Sequence, residues 1–321
     1  MGIRTILVAM GIALAVSALP ARAGLISSVV AFGDSLIDAG NADLMPVRPP
    51  QPPSPYVGGR YTNGPPPTEV LAARLGVPLI SYAIGGAQSG VGNIDVAFAD
   101  CKAGPSAYCT GVQSQLTQYL TTTQGQADAD ALYVVMGGSN DFLALPSGAT
   151  EQEFFDVANA VIGNLVSTVQ TLLGANAKRF LLPLLPDIGA APAVADATVT
   201  ALMPLVNGAL TQAYMELLAL IDDPNVQFMV FDTFGAQQNL MPLYAVTDTA
   251  CLQPDPATGF AVCSDPDSHF FWDDLHPTAD VSARLGRLLV EQVVPEPGML
   301  ALLAVALPLL GLRRRAAAVR A

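Results

Sequence analysis

Groups that bind metals are scarce in this chain. Its 321 residues include two histidines, His269 and His276, and four cysteines. No two cysteines form a Cys-x-x-Cys pair, so the usual ligand set of a structural zinc site is missing. No metal or cofactor is expected. Positive charge is scarce too, with 14 Lys and Arg against 27 Asp and Glu. Between residues 24 and 294 the balance is 8 to 26, a net charge of −18. Such a surface repels nucleic acid and anionic headgroups. It leaves neutral substrates, or a site screened from the bulk field. Internal repeats are absent, and nothing marks a second domain. With 51% hydrophobic and 13% charged residues, one sizeable core is expected.

The two ends read as targeting segments. Residues 1–23 carry Arg4, an apolar stretch over 6–19 and Ala21-Arg22-Ala23. That is the pattern of a secretory signal cleaved before Gly24, with an apolar stretch too short for a membrane span. At the other end Pro295-Glu296-Pro297 precedes fifteen apolar residues and Arg313-Arg314-Arg315. This end resembles the PEP-CTERM sorting signal of Gram-negative bacteria. The resemblance implies transient anchoring in the inner membrane with the arginines inside, processing by an exosortase-type enzyme and a final place outside the cell. Signal peptidase would be the other processing partner. The expected division is residues 1–23 signal, 24–294 catalytic domain, 295–321 sorting signal. In an exported protein an even cysteine count reads as disulfides. Nearest-neighbour pairing, Cys101–Cys109 and Cys251–Cys263, is adopted from the three connectivities possible.

Five short apolar runs recur, at 29–32, 78–82, 132–136, 179–185 and 226–231. Between and after them lie segments of helical periodicity, at 67–75, 112–120, 151–173, 198–221 and 278–293. The alternation predicts an α/β fold with a parallel sheet covered on both faces. The expected form is a three-layer α/β/α, flavodoxin-like domain with five strands. Residues 46–55 are proline-dense and read as a surface loop. The stretch 245–272 has no clear helix and one cysteine pair.

In such sheets functional groups gather beyond the carboxyl ends of the strands. The first run ends in Gly33-Asp34-Ser35-Leu36. Taken alone, Gly33 is a turn and Ser35 a helix cap, or Ser35 is a nucleophile at the mouth of the sheet. The second run is followed by Gly85-Gly86, the third by Gly138-Ser139-Asn140-Asp141. Asp273-Asp274-Leu275-His276 precedes the last helix. Acyl transfer needs this set. A serine hydroxyl is a weak nucleophile until a base takes its proton. The imidazole needs an acceptor on its far nitrogen. The oxyanion needs donors already aimed at it.

Those four blocks, in that order, resemble the GDSL family, also called SGNH hydrolases. With Gly59-Arg60-Tyr61-Thr62-Asn63-Gly64 the likeness extends to the secreted esterase and lipase branch. It implies Ser35 as nucleophile and His276 as base, with Asp273 orienting the imidazole. It also implies an oxyanion hole from the Ser35 and Gly86 backbone N–H groups and the Asn140 side chain. The substrate implied is an ester, of a lipid or of an acylated polysaccharide. Deacetylation of an exported polysaccharide is one alternative, and a non-catalytic surface protein on the same scaffold another. Gly85 could stand in for Gly86, and Asp274 for Asp273. Asp34 and Asp141 are expected to bond loop backbone, Asp187 to form a turn, and His269 to have no catalytic role.

Overall fold

The computed structural model describes residues 26–44, 52–95 and 110–294. Residues 1–25, 45–51, 96–109 and 295–321 lie outside it, and with them the signal segment, most of the proline-rich stretch, Cys101, Cys109 and the sorting signal.

The apolar runs are strands: β1 (Val29–Phe32), β2 (Leu79–Ser81), β3 (Leu132–Val135), β4 (Arg179–Pro183) and β5 (Gln227–Phe231). They form one sheet in the order β2-β1-β3-β4-β5 with every pairing parallel. That is the flavodoxin-like order. β1 and β3 are buried along their whole length, which explains why they read as continuous apolar runs rather than alternating ones.

The helices are α1 (Asn41–Leu44), α2 (Pro67–Leu75), α3 (Val112–Thr122), α4 (Ser139–Leu143), α5 (Glu151–Gly174), α6 (Ala197–Ala219), α7 (Thr233–Leu240) and α8 (Ala279–Val293). On one face of the sheet α3, α5 and α6 bury Leu116, Val161, Leu165 and Leu210 against Tyr133, Phe180 and Leu182. On the other, α2 and α8 bury Leu71 and Leu289 against Val29, Val134 and Leu181. Three layers result, as expected. Helix α5 starts in a capping box, with Thr150 accepting from the Glu153 N–H and the Glu153 carboxylate accepting from the Thr150 N–H. Such a pair satisfies two N–H groups that a helix start leaves open.

Residues 245–272 hold more order than their sequence suggests. A hairpin of β6 (Leu252–Asp255) and β7 (Gly259–Val262) is closed at its base by the Cys251–Cys263 disulfide, with Cα atoms 4.9 Å apart. The base is tied onward, because the N–H groups of Cys251 and Leu252 donate to the carbonyls of Phe271 and Trp272 at 3.0 and 2.6 Å. The staple therefore ends at the residue just before Asp273.

Candidate active site

The serine segment of the site begins as a strand that stops. β1 ends at Phe32, and Gly33 makes the turn. A Cβ at Gly33 would sit 2.6 Å from Ile37 Cδ1 and 2.8 Å from the Met136 carbonyl, so only glycine fits there. The Gln115 side chain clamps this glycine from both sides. It accepts from the Gly33 N–H at 2.8 Å and donates to the Gly33 carbonyl at 2.7 Å. Ser35 is held at the end of this clamped turn.

His276 comes from a tight loop before α8. The Trp272 N–H donates to the His276 carbonyl at 2.7 Å, and Phe271 pairs with Pro277. Within this loop Asp273 Oδ1 accepts from the N–H groups of Leu275 and His276, at 2.8 and 2.7 Å. Its carboxylate is thereby fixed one turn back from the imidazole. His276 Nδ1 lies 2.7 Å from Asp273 Oδ2, and His276 Nε2 lies 2.7 Å from Ser35 Oγ. Asp274 is exposed and has no contact with the imidazole; its carbonyl accepts from the Ala193 N–H. Of the two candidates, Asp273 faces the histidine.

The electrostatics follow from this geometry. Burial pushes the His276 imidazole down, but the Asp273 charge and hydrogen bond, with the Asp34 charge, outweigh it and hold the pKa above the ordinary histidine value. Burial likewise pushes Asp273 up, and the His276 charge with its hydrogen-bond donors brings it below the usual carboxylate range. Asp34 is fully buried, and burial raises it to about 6 despite the Leu36 N–H that its Oδ1 accepts at 3.0 Å. Its Oδ2 has no partner among the described residues.

The donor groups also gather at this edge. The Ile84 N–H donates to the Gly33 carbonyl at 3.1 Å, which carries the turn after β2 alongside Ser35. Gly85 is committed elsewhere. Its N–H donates to buried Asp38 at 2.9 Å, and a side chain there would collide with the Tyr61 ring. Gly86 adopts φ +76°, the left-handed region that glycine enters freely. Its N–H and that of Ser35 donate to no acceptor among the described residues. Between the two glycines, Gly86 is the one with a free donor. Asn140 is buried in the first turn of α4 and donates to the Ala87 carbonyl at 2.9 Å. Its amide keeps a second N–H. Ser35, Asn140 and His276 line one pocket.

Asp141 accepts from the N–H and Oγ of Ser89, both at 2.8 Å, and Asp187 accepts from the Ala190 N–H and from Thr200 Oγ1. Both organise loops. His269 bonds around the hairpin base, near the Ser268 hydroxyl and the Asp265 carbonyl, away from Ser35.

Tyr56 was not singled out by sequence, and Tyr61 entered only as part of the Gly59–Gly64 block. The Tyr56 hydroxyl donates to Asp273 Oδ2 at 2.7 Å, and the Tyr61 ring centre stands 5.3 Å from that of His276. Thr62 Oγ1 and Asn63 Oδ1 fasten the same segment to Pro277 and to the first N–H of α8. The signal was two tyrosines inside a glycine- and proline-rich stretch, more apolar surface than a solvated linker carries. Tyr56→Phe is expected to lower kcat about tenfold, the low end of what a hydrogen bond to a charged group contributes. Without the phenol, the Asp273 charge is less dispersed and holds the imidazolium more firmly. The acid limb of the kcat profile should then move to higher pH. An unmoved limb with a lowered melting temperature would mark Tyr56 as structural only.

The family model for GDSL-like lipase/acylhydrolase matches residues 29–289. The thermolabile hemolysin of Vibrio parahaemolyticus is 27% identical over 299 residues, 83% of this chain and 63% of that protein. The chain thus spans less than two thirds of the hemolysin's length. An Arabidopsis thaliana protein called an inactive GDSL esterase/lipase-like protein is 24% identical over 294 residues, 80% of this chain and 69% of the relative. A solved catalytic mutant of an acetylxylan esterase from Geobacillus stearothermophilus aligns with TM-score 0.49 at 14% identity, over 85% of this chain and 96% of that one.

Proposed function

This chain belongs to the GDSL-like lipase/acylhydrolase family, and from that premise we propose that it hydrolyses carboxylic esters through an acyl-enzyme on Ser35. The observation that carries the reading is the continuous line Ser35 Oγ to His276 Nε2, 2.7 Å, and His276 Nδ1 to Asp273 Oδ2, 2.7 Å. One relative has inactivity in its name, but here the serine, imidazole and carboxylate are all present and in contact.

His276 Nε2 takes the Ser35 proton as Oγ attacks the ester carbonyl carbon. The carbonyl oxygen becomes an oxyanion, and the N–H groups of Ser35 and Gly86 and the Asn140 amide are the donors available to it. As the tetrahedral intermediate collapses, the bond to the alcohol oxygen breaks and Nε2 gives that oxygen its proton. Water then attacks the acyl-enzyme, with the same nitrogen first taking and then returning a proton. Asp273 keeps the Nδ1 proton in place throughout, so that Nε2 starts each half-reaction unprotonated. A fluorophosphonate should label the purified protein once, at Ser35, as read by peptide mass mapping. A label on another serine overturns the assignment.

The same reading has the protein exported, on the pattern of residues 1–23, and processed near residue 295. N-terminal sequencing of the exported protein should begin at Gly24. A sequence that starts at Met1 would refute the cleavage.

A further inference from the structure

The Ser35–His276 pair stands at one end of a pocket that the proposed hydrolysis does not by itself require. From Ser35 the pocket runs along the carboxyl edge of the sheet. Its walls take one residue or more from each strand end in turn: Met136 after β3, Pro183 of β4, Phe231 of β5. Phe271 and Leu289 line it as well, and both are buried. Most of the wall is carbon, and its polar members are spread along it, Asp34 and Asn140 near Ser35, Asp187 after β4, and Thr233 and Gln237 just past β5. Gly86, Tyr56 and Tyr61 are not among its lining residues. The pocket therefore leaves Ser35 toward β5, and the free N–H of Gly86 lies toward β2.

Its length follows from the strand spacing. Strands are spaced by about 4.8 Å, so the path from β1 across β3 and β4 to β5 covers roughly 14 Å. With carbon–carbon bonds near 1.5 Å set in a zigzag, that is about ten carbons. The cavity that this path follows has a volume of about 100 Å³.

A wall this largely apolar favours an alkyl chain over a polar ligand, most of whose hydrogen bonds to water would go unreplaced. It also distinguishes the two halves of an ester. The alcohol must leave from the His276 side before water can enter, and a cleft reaching into the core would retain it. The acyl half stays bonded to Ser35 through both steps. We propose that this pocket holds the alkyl chain of the acyl group, making esters of medium-chain acids, about eight to ten carbons, the substrate class. The proposal rests on Ser35 being the nucleophile of an ester hydrolase.

The test is kcat/KM on p-nitrophenyl esters from acetate to palmitate, with decyl acetate alongside. Buried methylenes contribute regularly, so activity should rise about threefold per methylene. It should level off near ten carbons, where the path across the strands ends at β5. Decyl acetate should be no better than a short acetate ester. Ala191, a buried residue of the same wall, provides the variant. Ala191→Leu should cost the decanoate ester at least tenfold and leave the acetate ester within twofold. Should that variant not fold, decanoate binding to the Ser35→Ala protein by titration calorimetry replaces it, with decanoate expected to bind and acetate not. Hydrolysis that is best on acetate, or a preference for decyl acetate, overturns the pocket assignment but leaves the ester hydrolase standing. No turnover on any ester and no fluorophosphonate label overturns both.

Discussion

Ser35→Ala should lose about a millionfold in kcat while its melting temperature stays within a few degrees of the parent. The scale is that of removing the nucleophile from a serine hydrolase, where binding and the oxyanion donors leave only a residual rate. The stability expectation comes from the surroundings of the side chain. Ser35 is partly exposed, and its hydroxyl bonds His276 Nε2 alone among the described residues. Losing one such bond at the mouth of a pocket, where water can replace it, costs little. The turn itself is held by other groups, the Gln115 clamp on Gly33 and the Asp34 carboxylate on the Leu36 N–H. The measurement pairs turnover on a p-nitrophenyl ester with a thermal melt. Retained turnover would remove Ser35 from the mechanism. A collapse of the fold would mean that the hydroxyl is part of the scaffold.

Asp273→Asn should lower kcat about ten-thousandfold, whereas Asp274→Asn should cost less than about tenfold. The difference is a matter of protons. An asparagine at 273 can offer its NH₂ to Nδ1, which stabilises the tautomer with the proton on Nε2. His276 then presents a donor to Ser35 where an acceptor is required. The negative charge that holds His276 above its ordinary pKa goes as well. Because the base works unprotonated, a raised pKa places the acid limb of activity at higher pH than an ordinary histidine would. Loss of the Asp273 charge should draw that limb downward in whatever activity remains. Asp274 is exposed and touches neither nitrogen. The two kcat values at one pH decide between the acids, and a larger loss at 274 would reverse the assignment.

The sheet was legible because burial on both faces leaves a simple trace. Buried strands become unbroken apolar runs, and all five runs are strands, the first with its expected bounds and the other four trimmed by a residue or two. Helix α2 matches its expected bounds, since Pro67 opens it and Gly76, in the left-handed conformation, closes it. The placement of Ser35 and Asn140 was legible for another reason: each follows a strand end beside a glycine that the turn demands, Gly33 and Gly138. What escaped sequence reading has non-local causes. Tyr56 meets Asp273 across 217 positions, and no local pattern encodes such a contact. The β6–β7 hairpin projects from the core with β7 exposed on both faces, so it carries no alternation of apolar and polar residues. Helix α4 is a single turn and a half, too short to show a period. The pocket is a gap between elements, and a gap has no sequence of its own.

Ser35 and His276 are 241 positions apart, near opposite ends of the described chain. During synthesis the nucleophile appears with the first strand. The base appears only after all five strands of the sheet have been made. Closing so long a loop is entropically unfavourable until the layers between have packed. On the proposed mechanism a half-made chain carries Ser35 before the base that would activate it has been synthesised, so the order of the chain itself would delay activity until the last loop is in place.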